Sequence, residues 1–339
     1  MSKRRIIAIL IAAILAIIAF GGVMHLIETR SQKDQQFGDT GDWGDEEEEP
    51  LELILEDASY ISNDDIDTYL IIGTDAGGED LGEMYSGELA DFLTLLLVDN
   101  TTRRFGFIQI DRNSMVEMQV PNEKGDMTGV ATQQICISHW YGTSEEERND
   151  NTVAAVETLL GGLEIDNCYT LNMADIGAVN HAIGGVVVDI ESDLTSVDPE
   201  FVKGKSVLLD DKQAEKFVRA RMGVGNETNA ERMARQTQYM QKAYNLVMSQ
   251  LRDNPEYIND IYSELEGKIF SGESARDFST MTNQILQYES LGIMQFSGKT
   301  KIADTQGDGI EHEEFYVSEA SILKTLGKVI ELQKTDEEE

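Results

Sequence analysis

The chain has 339 residues, 41% of them apolar and 27% charged, so it can bury a substantial core and is neither fibrous nor disordered in composition. Asp and Glu total 63 against 27 Lys and Arg, a formal net charge of −36. That field excludes general nucleic-acid binding and repels anionic headgroups, so an anionic ligand has to be met by a local arginine cluster or a bound cation.

In chain order, residues 1–5 carry Lys3, Arg4 and Arg5, and Ile6 to Ile27 follow without a formal charge. That run is long enough to cross a bilayer core of about 30 Å at roughly 1.5 Å per residue. The basic residues precede it, which keeps the amino terminus in the cytoplasm and the bulk of the chain extracytoplasmic. The expectation is a single-pass cell-membrane protein with an uncleaved anchor at 6–27; a cleaved signal peptide would be shorter and end in a small-residue site. Residues 28–67 read as an acidic flexible linker, with Gln32 to Asp57 rich in Gly, Asp, Glu and Gln. A folded domain is expected over 68–330, followed by an acidic tail, 331–339.

Within the domain, Tyr69–Ile72 reads as a strand ending at Gly73-Thr74-Asp75, and a Gly-rich polar loop follows from Ala76 to Glu88. Phe92–Val98 is a near-continuous apolar run, as in a strand covered on both faces. Asp99-Asn100-Thr101 marks a turn into a strand over Arg104–Ile110. Helical spacing covers Thr152–Leu160, halting at Gly161-Gly162. A strand over Tyr169–Met173, a helix over Asp175–Ala182 and a strand over Val186–Ile190 come next. Asp211–Lys216 reads as helix and Phe217–Arg221 as a short strand. Asn229–Leu251 carries the longest helix signal. Mixed strands and helices predict an α/β, three-layer α-β-α sandwich. Cys136 and Cys168 form no C-x-x-C metal or redox motif; an extracytoplasmic location permits a disulfide between them, spacing alone does not show one, and two free, buried thiols is the plainer reading.

Asp75 follows the first of these strands, Asp91 precedes the second and Arg112 follows the third. Antiparallel pairing gathers all three at one sheet end. Two neighbouring carboxylates can hold Mg²⁺, with water or phosphate oxygens completing the shell; the plain alternative is that both are turn and strand-edge residues. Arg219 and Arg221 share a face on a strand, and Arg232 and Arg235 share a face of the long helix. Four Arg within this stretch invert the local charge, and Arg grips phosphate with paired hydrogen bonds. Pairing with Glu227, Glu231 and other surface acids is the competing reading. Asp304 to Gly309 resembles a calcium loop but has Phe315 where a Glu is required, so it reads as a surface turn. His139, His181 and His312 sit in unrelated contexts and predict no zinc site.

The ordered set of pieces resembles the LytR-CpsA-Psr family of bacterial cell-wall phosphotransferases. The matching pieces are the anchor, Leu70-Ile71-Ile72-Gly73-Thr74-Asp75, Ala90-Asp91, and Gln109-Ile110-Asp111-Arg112-Asn113. They continue with Ile183-Gly184-Gly185-Val186-Val187-Val188, Val218-Arg219-Ala220-Arg221 and Glu231-Arg232-Met233-Ala234-Arg235-Gln236. The resemblance implies a polyprenyl pocket and transfer of a glycopolymer from an undecaprenyl-pyrophosphate carrier to peptidoglycan, with formation of a phosphodiester. Carried over by position, Asp75 and Asp91 hold Mg²⁺, and Arg112, Arg219, Arg221, Arg232, Arg235 and Gln236 bind the pyrophosphate. Asp91, Arg112, Arg219 and Arg221 then form the catalytic set. The family usually has Arg where this chain has Leu89, Pro-Arg-Asp where it has Asp111-Arg112-Asn113, and Asp where it has Asn229. Those departures leave a second expectation: a weakened or regulatory relative that binds the lipid carrier or wall polymer without turnover.

Overall fold

The structure is a computed structural model that describes residues 51–62, 64–75, 88–122, 126–221, 228–254, 267–271, 287–307 and 309–335, together with 257, 261, 264 and 265. The expected anchor, Ile6 to Ile27, and most of the Gly-rich loop lie outside the described residues. Among the described residues no helix is long and apolar enough to cross a membrane.

The segment expected as a linker contains a hairpin: β1 (Leu51–Leu55) pairs antiparallel with β2 (Ala58–Ser62). Its acidic composition hides the alternation Leu-Glu-Leu-Ile-Leu, in which Leu53 and Leu55 are buried and Glu52 and Ile54 exposed. The turn residues Glu56 and Asp57 have φ of 53° and 56°, the paired left-handed conformation that matches the twist of a two-residue hairpin.

A six-stranded sheet forms the centre. It contains β3 (Ile66–Thr74), β4 (Ala90–Asp99) and β5 (Arg104–Ile110), the three strands legible as apolar runs. β3–β4 and β4–β5 are antiparallel, as the tight turn requires. β8 (Asn167–Asn172) joins β3 in parallel, β12 (Glu289–Gln295) joins β5 in parallel, and β11 (Ile269–Ser271) closes the far edge on β8. Beside the sheet lie two hairpins: β6 (Met115–Pro121) with β7 (Met127–Gln134), and β13 (Gly298–Ala303) with β14 (His312–Val317). The short pair β9 (Val187–Asp189) and β10 (Ser206–Leu208) is separate.

Side chains alternate across the sheet, so each central strand feeds two cores. On one face Ile71, Leu96, Val98 and Phe107 pack against α2 (Ile176–Ala182), α3 (Asp211–Arg219) and α4 (Asn229–Asp253) through Val179, Phe217, Val218, Ala243 and Tyr244. On the other, Leu70, Leu93, Leu95 and Ile108 pack against α1 (Glu145–Leu159) and α5 (Glu319–Leu326) through Val156, Leu160, Ile322 and Leu326. Helices therefore cover both faces, in the expected α-β-α layering.

Two helices depart from their expected limits. α1 begins earlier than Thr152 because Ser144 accepts a hydrogen bond from the Glu147 amide and three glutamates occupy the first turn, favourable against the helix dipole. α3 continues through Phe217–Arg219, where a strand was expected. An Asp210–Gln213 capping box starts it, and Gln213, Ala214, Phe217 and Val218 bury one face at a spacing of four.

Candidate active site

The site forms where β3 and β5 end and β4 begins, against the first turns of α4 and the last turn of α3. β3 and β4 lose register between Gly73 and Thr74: Gly73 opposes Phe92 and Thr74 opposes Ala90, so Asp91 is the extra residue of a bulge. Bulges re-aim a side chain at a sheet end. The amides of Asp75 and Asp91 both donate to the Leu89 carbonyl, at 2.9 Å each, which gathers the two aspartates. At this position the backbone of Leu89 does the gathering.

Asp91 lies between two guanidiniums. Its Oδ1 is 3.0 Å from Arg112 Nε, and its Oδ2 accepts from Arg232 Nη1 at 3.0 Å. The Arg112 contact is close but poorly aligned, and Asp91 Oδ1 and Arg112 Nε are buried without a hydrogen bond. Arg112 Nη2 donates to Cys136 Sγ at 2.9 Å, a buried thiol on the turn after β7. Asp75 is paired with Arg219 Nη2, and Arg219 Nη1 also donates to Glu215 Oε1 at 2.7 Å. Arg219 is the last residue of α3 and Arg221 follows the extended residue Ala220, so they are not neighbours on one strand face as expected. Arg219 pairs with Asp75, and Arg221 lies close enough to Arg232 for their charges to interact. Burial pulls Arg232 down to about 10, opposed by Asp91 and reinforced by the nearby charges of Arg112 and Arg221. Arg232 remains a cation at neutral pH. Its Nε, like that of Arg221, is buried without a hydrogen-bond partner, which is the donor a phosphate oxygen would satisfy.

Arg235 and Gln236 were expected on the pyrophosphate and are engaged otherwise. Arg235 donates from Nε to the Phe217 carbonyl at 3.2 Å and from Nη2 to the Ala220 carbonyl, capping the end of α3. Arg232 and Arg235 thus diverge from the same stretch of helix. Gln236 Oε1 accepts from Gln109 Nε2 at 3.3 Å, and its Nε2 reaches the Val218 carbonyl at 3.5 Å. It lines an apolar cavity of about 90 Å³ with Gly73, Phe92, Met173, Val218 and Met240. Four of these six are chain neighbours or near neighbours of Asp75, Asp91, Arg219 and Arg235, so the cavity adjoins the charged cluster.

Sequence reasoning missed three carboxylates at this rim. Glu88 is close enough to Asp75, Glu145, His139 and Arg148 to feel their charges; burial first, then Glu145, raises its carboxyl. Asp111 Oδ1 accepts from the Asn113 amide at 2.8 Å and from Asn229 Nδ2 at 2.6 Å. Glu313, on β14, accepts from the Asn229 amide at 3.4 Å. Asp111 was visible as part of the Asp111-Arg112-Asn113 motif, whereas nothing local marks Glu313. Cys136 and Cys168 are both free, as expected. Among the described residues no group of three or more His, Cys, Asp or Glu could hold a metal ion by itself.

A family model described as the LytR_cpsA_psr family matches residues 30–327. No curated protein matches the chain. Among solved structures, the protein gbs0355 from Streptococcus agalactiae is similar at 17% identity and a TM-score of 0.60, over 78% of this chain and 86% of that one. TagV from B. subtilis is similar at 17% identity and a TM-score of 0.57, over 78% and 97%. TagT bound to LIIa-WTA is similar at 17% identity and a TM-score of 0.55, over 79% and 90%. At this identity the likeness shows a shared α/β fold.

Proposed function

The chain belongs to the LytR-CpsA-Psr family, and from that membership and the geometry of its cleft we propose that it transfers a glycopolymer from an undecaprenyl-pyrophosphate carrier to peptidoglycan. The coarser role, a cell-wall glycopolymer transferase, goes with the family and its structural neighbours. The observation that carries the finer reading is Arg112, Arg219, Arg221 and Arg232 gathered at an apolar cavity in a chain of net charge −36. A diphosphate on an isoprenoid tail has matching halves. TagT bound to LIIa-WTA supports a glycopolymer as the cargo.

In this reading Arg221 and Arg232 offer their unpartnered Nε–H groups to diphosphate oxygens, and Arg112 is held at the same anion by Asp91 and Cys136. Arg219 is more exposed than Arg112 and Arg232 and meets the ligand from the solvent side. The tail enters between Phe92, Val218 and Gln236. Phosphoryl transfer demands positioning and charge neutralisation above all, and these fixed cations provide both.

Asp75 and Asp91 are the carboxylates that would hold a divalent cation, Asp75 by giving up its pairing with Arg219: their amides share one carbonyl, and Asp91 Oδ1, though 3.0 Å from Arg112 Nε, is a buried oxygen with no aligned donor. We propose that this pair would hold Mg²⁺, an ion that prefers oxygen ligands. A cation held there would supply neutralisation of the charge developing on the departing lipid phosphate. The reading also takes residues 6–27 as the membrane anchor, with the domain outside the cell membrane.

The test incubates the full chain in detergent with a lipid-linked pyrophosphate glycan, peptidoglycan fragments and Mg²⁺, and follows lipid phosphate release. Release is expected, with loss on chelation. Arg219→Ala should lower turnover about 10²–10³-fold with an unchanged circular dichroism spectrum. The departures at Leu89, Asn113 and Asn229 support a second reading, carrier binding without turnover, which binding without release would establish. Neither binding nor release would refute both.

A further inference from the structure

Helix α4 runs alongside the whole site and orders its parts. Asn229, in its first turn, meets Asp111 and Glu313; Arg232 meets Asp91; Gln236 stands at the cavity wall; Met240 and Ala243 lie deeper in it. At roughly 1.5 Å per residue, about 10 Å separates the acidic end at Asn229 from Gln236, with Arg232 between them. The arrangement is polar: acid, then arginine, then apolar cavity.

An in-line displacement at phosphorus puts the incoming and departing oxygens on opposite sides of the reacting atom. If the lipid tail sits in the cavity, the departing lipid phosphate points toward Gln236. The incoming hydroxyl must then approach from the Asn229 end. We infer that Asp111 accepts the proton of that hydroxyl. This inference rests on the transferase reading. The acceptor oxygen bonds to the sugar-bearing phosphorus, and the bond from that phosphorus to the bridging oxygen breaks. Its electron pair leaves with the lipid phosphate, and the acceptor proton passes to the Asp111 carboxylate.

Asp111 suits this role better than the other carboxylates. Asp91 has both oxygens against guanidiniums, and Asp75 is bound to Arg219. Asp111 meets its structural obligations through Oδ1 alone, and its Oδ2 accepts no hydrogen bond among the described residues. The groups facing it are Glu313 on β14, Arg232 and Asn229 on α4, and Arg112 and Asn113 on its own turn. Burial raises its carboxyl, the bonds from Asn113 and Asn229 offset part of that, Glu313 raises it further and Arg232 lowers it. A raised carboxylate is a stronger base near neutral pH.

The test measures lipid phosphate release by the full chain across pH, together with binding of the lipid-linked donor. Asp111→Asn should lower kcat by about 10²-fold or more while donor binding changes less than threefold, and Asp111→Glu should restore part of the rate. Glu313→Gln removes a negative neighbour, so the acidic limb of the kcat profile should move to lower pH, which a purely structural Asp111 would not cause. Asp111→Asn with kcat within threefold of the parent, or an unmoved limb in Glu313→Gln, overturns the inference alone. No release by the parent protein overturns the transferase reading with it.

Discussion

Arg235 separates two accounts of the same residue. Position in the motif puts it on the pyrophosphate, whereas the structure puts its guanidinium on the carbonyls of Phe217 and Ala220. These are carbonyls that the end of α3 leaves without intrahelical donors. A hydrogen bond from a charged donor contributes about 1.5–3 kcal/mol, and a cation at a partly buried helix C-terminus adds up to about 2. Arg235→Ala removes two such bonds and leaves buried carbonyls unsatisfied, so the expected loss is about 3–5 kcal/mol. With a urea m-value of about 3 kcal/mol/M, the midpoint should fall by roughly 1–1.7 M. Because the same turn carries Arg219 to Asp75, turnover should fall through a raised KM as α3 loosens. Urea unfolding followed by circular dichroism gives the stability, and pyrophosphate titration gives the binding. A midpoint shift under about 0.2 M, corresponding to less than about 0.6 kcal/mol, with loss of pyrophosphate binding, would refute the structural assignment and return Arg235 to the ligand.

Asp91→Ala should destabilise by about 3–5 kcal/mol, because it removes the one carboxylate held against both Arg112 and Arg232 in a mostly buried setting; a denaturant midpoint equal to the parent's would show that the arginines pair elsewhere. Gly73→Val should block the cavity, since a Cβ there lies 2.8 Å from Phe92 Cβ and 3.4 Å from Met173 Cγ. Binding of a long-chain polyprenyl pyrophosphate should weaken at least about tenfold at a stability cost of about 1–3 kcal/mol, while inorganic pyrophosphate binding holds; equal loss for both ligands would argue against the cavity as the tail site. Burial, with Asp150 and Glu145 adding to it, pushes the Cys168 thiol up to about 12, and Cys136 is fully enclosed. Neither thiol should alkylate at pH 8 in the native protein, and both should react after unfolding without reductant; fewer than two titratable thiols would reveal a disulfide.

The central strands were legible because their apolar runs are uninterrupted. Arg104–Ile110 coincides with β5, and the long-helix signal at Asn229 coincides with the start of α4. Convergence of Asp75, Asp91 and Arg112 followed from antiparallel pairing alone. What local sequence could not reveal was set by distant partners. Phe217 and Val218 have strand-like chemistry, yet the capping box and the core below α3 hold them helical. The hairpin at 51–62 was masked by its acids, because only two of its first five positions face inward fully. Glu313 reaches the site through the β13–β14 hairpin, whose strands carry few buried apolar residues and so little periodic signal. Arg235 shows the limit of motif reading: spacing on a helix says which residues are neighbours, not which way each long side chain turns.

The short strand β15 (Gln333–Lys334) pairs with β2, which also holds β1, so both ends of the described chain finish in one three-stranded sheet. The Glu331 amide on Asp64 and the Thr335 amide on the Ser59 carbonyl fasten the same corner. Tension applied between the two ends is therefore carried by a handful of bonds at that corner and bypasses the six-stranded sheet. Peeling β15 away under load would free the carboxyl end first, leaving the arginine cleft to keep its geometry while the protein is pulled.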